Sequence, residues 1–370
     1  MAAPSFEGPV SGELSAQEGT CADGGADAPL VEGELPSLAP YRQSEWRRSL
    51  IQLAVTLSGF LLLWALAWWC LGISYLLTLA VAVPAAGFLV RLFILAHDCG
   101  HGSFFPSRRA NEIVGCALGL LTLTPYHRWR KHHAIHHATT GNLDRRGSGD
   151  VHLLTVDEYT RLSPFRRWIY RLHRHPLVLF GIGPFLYFVV WQRLPMEPRS
   201  WKKERRSVQL TNLALIACGG LIASQLGLGP FLAVHIPIVA LASSAGVWLF
   251  YIQHHFPSTY WRRSEQWDYA AASLEGSSYY QLPAILQWLT ANIGIHHIHH
   301  LDSRIPNYNL QACFDQNATL QQAYRVTLRD SLASIRLALW DETTCQLVPI
   351  PKRVNPASST SVTSKDLGAG

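Results

Sequence analysis

Twelve of the 17 histidines fall in four tight groups: His97 and His101; His132, His133, His136 and His137; His254 and His255; His296, His297, His299 and His300. Residues three and four apart share one face of a helix. His97/His101 therefore forms a pair, and His133/His136/His137 and His296/His299/His300 form two trios, each converging on a common point. His132 and His297 lie about 100° round the helix from the first member of their trios and stay outside the inner set. Imidazole suits iron, zinc, copper and nickel. Eight or nine nitrogen ligands are too many for one zinc but match two metal ions with a few positions open. His97-Asp98-Cys99-Gly100-His101 is not the HExxH protease motif, because Asp98 stands where the glutamate would be. The solitary His127, His152, His173, His175 and His235 read as satisfied core or surface histidines. Seven scattered cysteines without a CxxC pair indicate no zinc ribbon, iron-sulfur site or disulfide scaffold.

Groups so far apart in sequence need long elements to gather them. The chain is 48% hydrophobic and 15% charged, against about a quarter charged in a soluble domain. Arg48 and Arg91 bracket 42 residues without Asp, Glu, Lys, Arg or His, and the stretch from Arg206 to Arg262 is broken only by His235, His254 and His255. Each has room for two crossings at about 20 residues apiece. The spans are expected at about 50–70, 75–95, 208–226 and 231–252, with Pro237 tolerated inside the fourth. Ile113 to Pro125 and Pro176 to Trp191 are short for spanning and read as interfacial or re-entrant helices. Both inter-span turns are uncharged, whereas Arg42, Arg47, Arg48, the Arg/Lys-rich middle loop and Arg262-Arg263 lie on the other side, which the positive-inside rule makes the cytoplasm. Every histidine group falls on that face.

The expected fold is thus an all-α integral membrane protein: four transmembrane helices, interfacial helices, and a cytoplasmic helical cap holding the metal site. The net charge of +6 is concentrated in apolar-flanked stretches such as Arg161 to Arg174 and Arg199 to Arg206. These are topology signals and lipid contacts rather than a nucleic-acid surface. Residues 1–41 carry seven acids, no base and no apolar core of signal-peptide length, so a disordered acidic arm is expected there. The membrane domain is expected over 42–345, and a flexible Ser/Thr-rich tail over 346–370.

The boxes resemble the membrane fatty-acid desaturase superfamily, whose pattern is HxxxH, HxxHH, HxxHH, over about residues 40 to 340. The flanks are more specific: His97-Asp98-Cys99-Gly100-His101-Gly102-Ser103-Phe104-Phe105; His133-Ala134-Ile135-His136-His137-Ala138 followed by Gly141-Asn142-Leu143-Asp144; and Gly294-Ile295-His296-His297-Ile298-His299-His300-Leu301 ending in Arg304-Ile305-Pro306-Asn307-Tyr308. They are similar to bacterial acyl-lipid desaturases of the Δ12, or omega-6, class. Tyr251-Ile252-Gln253-His254 is similar to a stretch that supplies one further ligand in that family. The resemblance implies two irons held by His97, His101, His133, His136, His137, His254, His296, His299 and His300. It also implies O2 as co-substrate and removal of two hydrogens from adjacent CH2 groups of an acyl lipid, with two electrons from an external carrier.

Ferredoxin is the carrier the resemblance implies first, with cytochrome b5 second. Arg128, Arg130, Lys131 and the Arg161 to Arg174 stretch offer a basic docking face for an acidic carrier. The chain itself shows no haem domain, iron-sulfur cysteines or GxGxxG fingerprint. Asp98, Asp144, Asp150 and Asp302 are candidate acceptors that would fix imidazole tautomers, and each fits a helix cap or surface turn as well. Trp129, Trp261, Trp267 and Trp288 could line an acyl tunnel, though interfacial anchoring suits most of them better. The same boxes serve acyl-chain acetylenases and hydroxylases, and the flanks do not separate Δ12 from Δ9 or omega-3 chemistry. A metal transporter would place its ligands at membrane depth, where only His235 lies.

Overall fold

The computed structural model describes residues 35–351, Ser148 excepted. Four helices are long and apolar enough to cross a bilayer: α1 (Trp46–Leu71), α2 (Tyr75–His101), α8 (Lys202–Leu226) and α9 (Leu228–His254). They form two hairpins, with turns at Gly72–Ser74 and at Gly227. The four expected spans are all present but longer, because apolar length fixes only the part inside hydrocarbon. At 1.5 Å per residue the 27 residues of α2 reach about 40 Å, roughly 10 Å more than the hydrocarbon thickness. The surplus at the C-terminal end of α2 carries His97 and His101, and α9 ends on His254.

α2 is the most enclosed of the four, packed against α1 and α9. Its buried contacts include Ala82, Ala85 and Ala86, small side chains that let helices approach where lipid gives no hydrophobic drive. Leu61, Leu62 and Leu76 point outward, as lipid-facing residues must. α9 continues unbroken through Pro237.

Between the hairpins lie α3 (Arg108–Leu121), α4 (Tyr126–Thr139), α5 (Val156–Arg161), α6 (Pro164–Arg174) and α7 (Gly183–Val189). The stretch Pro164–Arg174 meets Leu177–Arg193 at a 58° bend, the geometry of a broken span or a re-entrant loop. α6 exposes Phe165, Trp168, Ile169 and Leu172 on one stripe, as an interfacial helix does.

After α9 the cap holds α10 (Tyr269–Leu274), α11 (Ala284–Leu289), α12 (His296–Leu301), α13 (Asn307–Gln316) and α14 (Leu328–Ser334). Short strands accompany the helices of the expected helical cap. β1 (Leu154–Thr155) pairs with β4 (Leu337–Asp341), which pairs with β5 (Gln346–Pro349), and β2 (Tyr279–Gln281) pairs with β3 (Arg325–Thr327). Strands of two to five residues are too short to show alternation in sequence.

The expected terminal boundaries shift for the same kind of reason. Residues 35–41 are packed on the cap, with Leu38 buried beside Ile298 and Leu310 and the Tyr41 hydroxyl 2.8 Å from Gln316 Oε1. Gln346–Pro349, assigned to the tail, is β5, and Leu347 is buried with Trp340. The rest of the expected arm and tail lies outside the described residues.

Candidate metal centre

The nine sequence-predicted histidines come from four elements and meet at one end of the bundle. α2 brings His97 and His101, α4 brings His133, His136 and His137, α9 brings His254, and α12 brings His296, His299 and His300. Gly100 permits the approach of α2 to α4, since a Cβ there would stand 2.7 Å from the Trp129 ring. Gly102 ends α2 in the left-handed region at φ 74, which frees the chain to leave just after His101.

The nine rings divide into two sets. His97, His101, His133, His137 and His299 each offer a nitrogen within 4.8 Å of all the others, and so do His136, His254, His296 and His300. Each trio is split: His133 and His137 join the first set while His136 joins the second, and His296 and His300 join the second while His299 joins the first. A pair at i, i+4 and a lone member one residue away thus face neighbouring points, so α4 and α12 both border the two sets.

The donor chemistry fits a first-row metal ion in each set. The Nε2 atoms of His133 and His137, of His137 and His299, and of His254 and His296 stand 3.1 Å apart. Two nitrogens bound to one ion at about 2.1 Å and a right angle would sit about 3.0 Å apart. Nε2 of His101, His136 and His300 is buried without a hydrogen-bond partner, a cost that a cation would remove. Burial, reinforced by the neighbouring imidazoles, holds His133, His137, His296, His299 and His300 well below the ordinary histidine pKa. They are therefore neutral at pH 7, the form that has a lone pair to give.

Hydrogen bonds at the other ring nitrogen fix several tautomers. His136 donates through Nδ1 to Asp150 Oδ1 at 2.6 Å, His97 through Nδ1 to Asp98 Oδ1 at 3.0 Å, and His254 through Nδ1 to the Gly276 carbonyl at 3.0 Å. Two of the four candidate acids thus touch the centre. Asp144 instead receives Arg263 and the Ser264 N–H at the surface, and Asp302 receives Arg42 and Arg304. Gly276 was not legible as a partner, because a carbonyl acceptor carries no residue signature.

The histidines excluded on spacing lie outside both sets. His297 donates to the Leu320 carbonyl at 2.9 Å, and His132 lies near Glu197 and Trp201. His255 stacks on Tyr251, and His235 on Phe231.

An apolar cavity of about 290 Å³ runs from His97, His133 and His296 down between α2, α9 and the bent helix pair, past Leu89, Phe93, Val239 and Gly246. Trp129 is the one of the four proposed tryptophans on its wall, stacked on His133 at 4.5 Å. Trp261 is buried beside Leu143 and Trp340, Trp267 donates to the Thr140 carbonyl, and Trp288 is 43% exposed.

The basic docking face loses two of its members. Arg128 is buried in an ion pair with Glu197, and Arg174 is buried against Tyr170 and the His152 carbonyl. A buried arginine reads as a surface one in sequence because its partner, here Glu197, is remote. Lys131, Arg166 and Arg171 remain exposed.

A family model described as fatty acid desaturase matches residues 66–331, a range that includes all nine histidines. A Bacillus subtilis (strain 168) protein named fatty acid desaturase is 46% identical over 311 residues, 84% of this chain and 88% of its own length. The sn-1 oleoyl-lipid 12-desaturase of Anabaena variabilis is 26% identical over 332 residues, covering 83% of this chain and 85% of its own. The endoplasmic-reticulum omega-3 fatty acid desaturase of Vigna radiata var. radiata is 28% identical over 330 residues, covering 82% and 81%.

Proposed function

The chain belongs to the fatty acid desaturase family, and from that premise we propose that it inserts a second double bond, of the Δ12 or omega-6 type, into a fatty acyl chain of membrane lipid. The reaction uses O2, two irons held by His97, His101, His133, His137 and His299 and by His136, His254, His296 and His300, and electrons from a separate donor. The observation that carries this reading is the meeting of two all-histidine sets with the end of an apolar cavity. The first set would hold one iron through five imidazoles and the second the other iron through four. The paired metal, when bound, would supply the oxidising power that removes two hydrogens from adjacent CH2 groups.

The protein's own residues do the rest. The apolar walls of the cavity hold the acyl chain beside the histidine sets and keep water away from the reacting carbons. Asp98, Asp150 and the Gly276 carbonyl hold their imidazoles in the tautomer that turns Nε2 toward the metal. The Δ12 assignment rests on the box flanks and on the 12-desaturase relative. The Arg and Lys residues at the histidine end favour a cytoplasmic position for it by the positive-inside rule, and the bilayer proposed is a bacterial inner membrane. The donor is ferredoxin, or cytochrome b5, docking near Lys131, Arg166 and Arg171.

Elemental analysis of the purified full chain tests the centre: two irons per chain are expected. A single tightly held zinc after expression in iron-replete cells would overturn the assignment.

A further inference from the structure

Arg91 lies in α2, yet on the face turned away from the apolar cavity. Leu89, Val90, Phe93, Ile94 and His97 border the cavity, and Arg91 sits about 130° round the helix from the middle of that strip. It is only 4% exposed. Its Nε donates to Thr56 Oγ1 at 3.1 Å, and the guanidinium carbon sits 4.2 Å from the centre of the Trp288 ring. Nη1 has no hydrogen-bond partner, and no carboxylate pairs with the side chain among the described residues. A guanidinium at this depth without an anion is costly, so intramembrane charges generally serve a partner.

Arg91 opens into a groove of about 490 Å³ with no Asp or Glu on its wall. Gln52, Gln287, Asn292 and Gln311 line it, and each amide nitrogen spends a hydrogen on another protein group, leaving its second hydrogen to give. The groove also sits at the right level. About twenty residues from Tyr75 cross the hydrocarbon and end near Ile94, which puts Arg91 about one turn below the head-group boundary. α11 beside it exposes Ile285 and Trp288, the outward apolar face of an interfacial helix.

We propose that this groove binds the phosphate of an anionic membrane phospholipid, with Arg91 as counter-ion and the surrounding amides as further donors, at a site separate from the acyl cavity. A phosphate supplies the charge and the several acceptors that Arg91 and the amides lack, and the lipid's chains run down beside Ile285 and Trp288.

The full chain is placed in phosphatidylcholine nanodiscs doped with phosphatidylglycerol, and the lipids that survive release are counted by native mass spectrometry. Wild type is expected to keep one phosphatidylglycerol, with occupancy falling about fivefold or more in Arg91→Gln. Gln287→Glu, which offers Arg91 a carboxylate from a partly exposed wall and leaves no cation bare, is expected to lower occupancy likewise, so the test stands if Arg91→Gln fails to fold. Equal retention by wild type and Gln287→Glu overturns the proposal. So does retention of phosphatidylcholine as readily as phosphatidylglycerol, or displacement of the bound lipid by inorganic phosphate, which would make the site one for the free ion.

Discussion

Asn307 gives both its backbone N–H and its side-chain Nδ2 to one oxygen of Asp98, Oδ2, at 2.8 Å each, joining two segments 209 residues apart. The other oxygen receives His97 Nδ1. Gln52 completes the chain by exchanging hydrogen bonds with the Asn307 side chain. All three groups facing Asp98 are donors. In Asp98→Asn the new amide N–H must therefore confront a donor: turned toward Asn307 it meets two, and turned toward His97 it frees that ring to take the other tautomer. Metal affinity should drop about 10- to 100-fold, read by iron titration of the stripped protein.

Asp150→Asn should be milder. Oδ1 accepts from His136, but Oδ2 has no partner, so an amide can turn its nitrogen to that empty side and keep the carbonyl on His136. The same titration should show a smaller loss than Asp98→Asn. The reverse order would contradict the assigned hydrogen-bond roles.

Gly246 lines the apolar cavity, and a Cβ built there meets nothing within 4 Å. Gly246→Leu should fill part of the channel without disturbing α9, lowering turnover at least about tenfold while iron content stays at the wild-type value. Lost iron together with lost turnover would place Gly246 in the structural frame instead.

The buried imidazoles set a pH dependence for the metal-free protein. His133, His137, His296, His299 and His300 are held well below the ordinary value by burial, and His297 is lowered to about 4. Unfolded imidazoles take protons near pH 6.5, while the folded ones resist until the pH is much lower. The unfolded state therefore binds more protons in between, and stability falls as pH drops from about 6.5 toward 4. The thermal midpoint of chelator-treated protein should follow that fall, and a midpoint that is flat or rises on acidification would refute it.

The parts of the fold set by local period or by apolar length were legible in sequence. The four spans follow from uncharged length, and the exclusion of His132 and His297 follows from the 3.6-residue turn. Anything that depends on what lies opposite was not. Nothing local distinguishes Asp98 and Asp150, which meet histidines, from Asp144 and Asp302, which meet arginines. Arg128 reads as a docking residue until Glu197 covers it. The sharing of each trio between the two sets is also a property of how α4 faces α12, which neither helix carries alone. Asn307 follows the third histidine box in sequence, but its role appears only once α13 packs beside the end of α2.

The most direct measurement of the central claim is gas chromatography of fatty-acid methyl esters from cells expressing wild type or a His136→Ala, His137→Ala double variant, with a monoenoic lipid and a reducing donor present. A dienoic acid found only with wild type is the predicted result, its second double bond at the Δ12 position. Hydroxylated or triple-bonded chains, or a profile that wild type leaves unchanged, would contradict it.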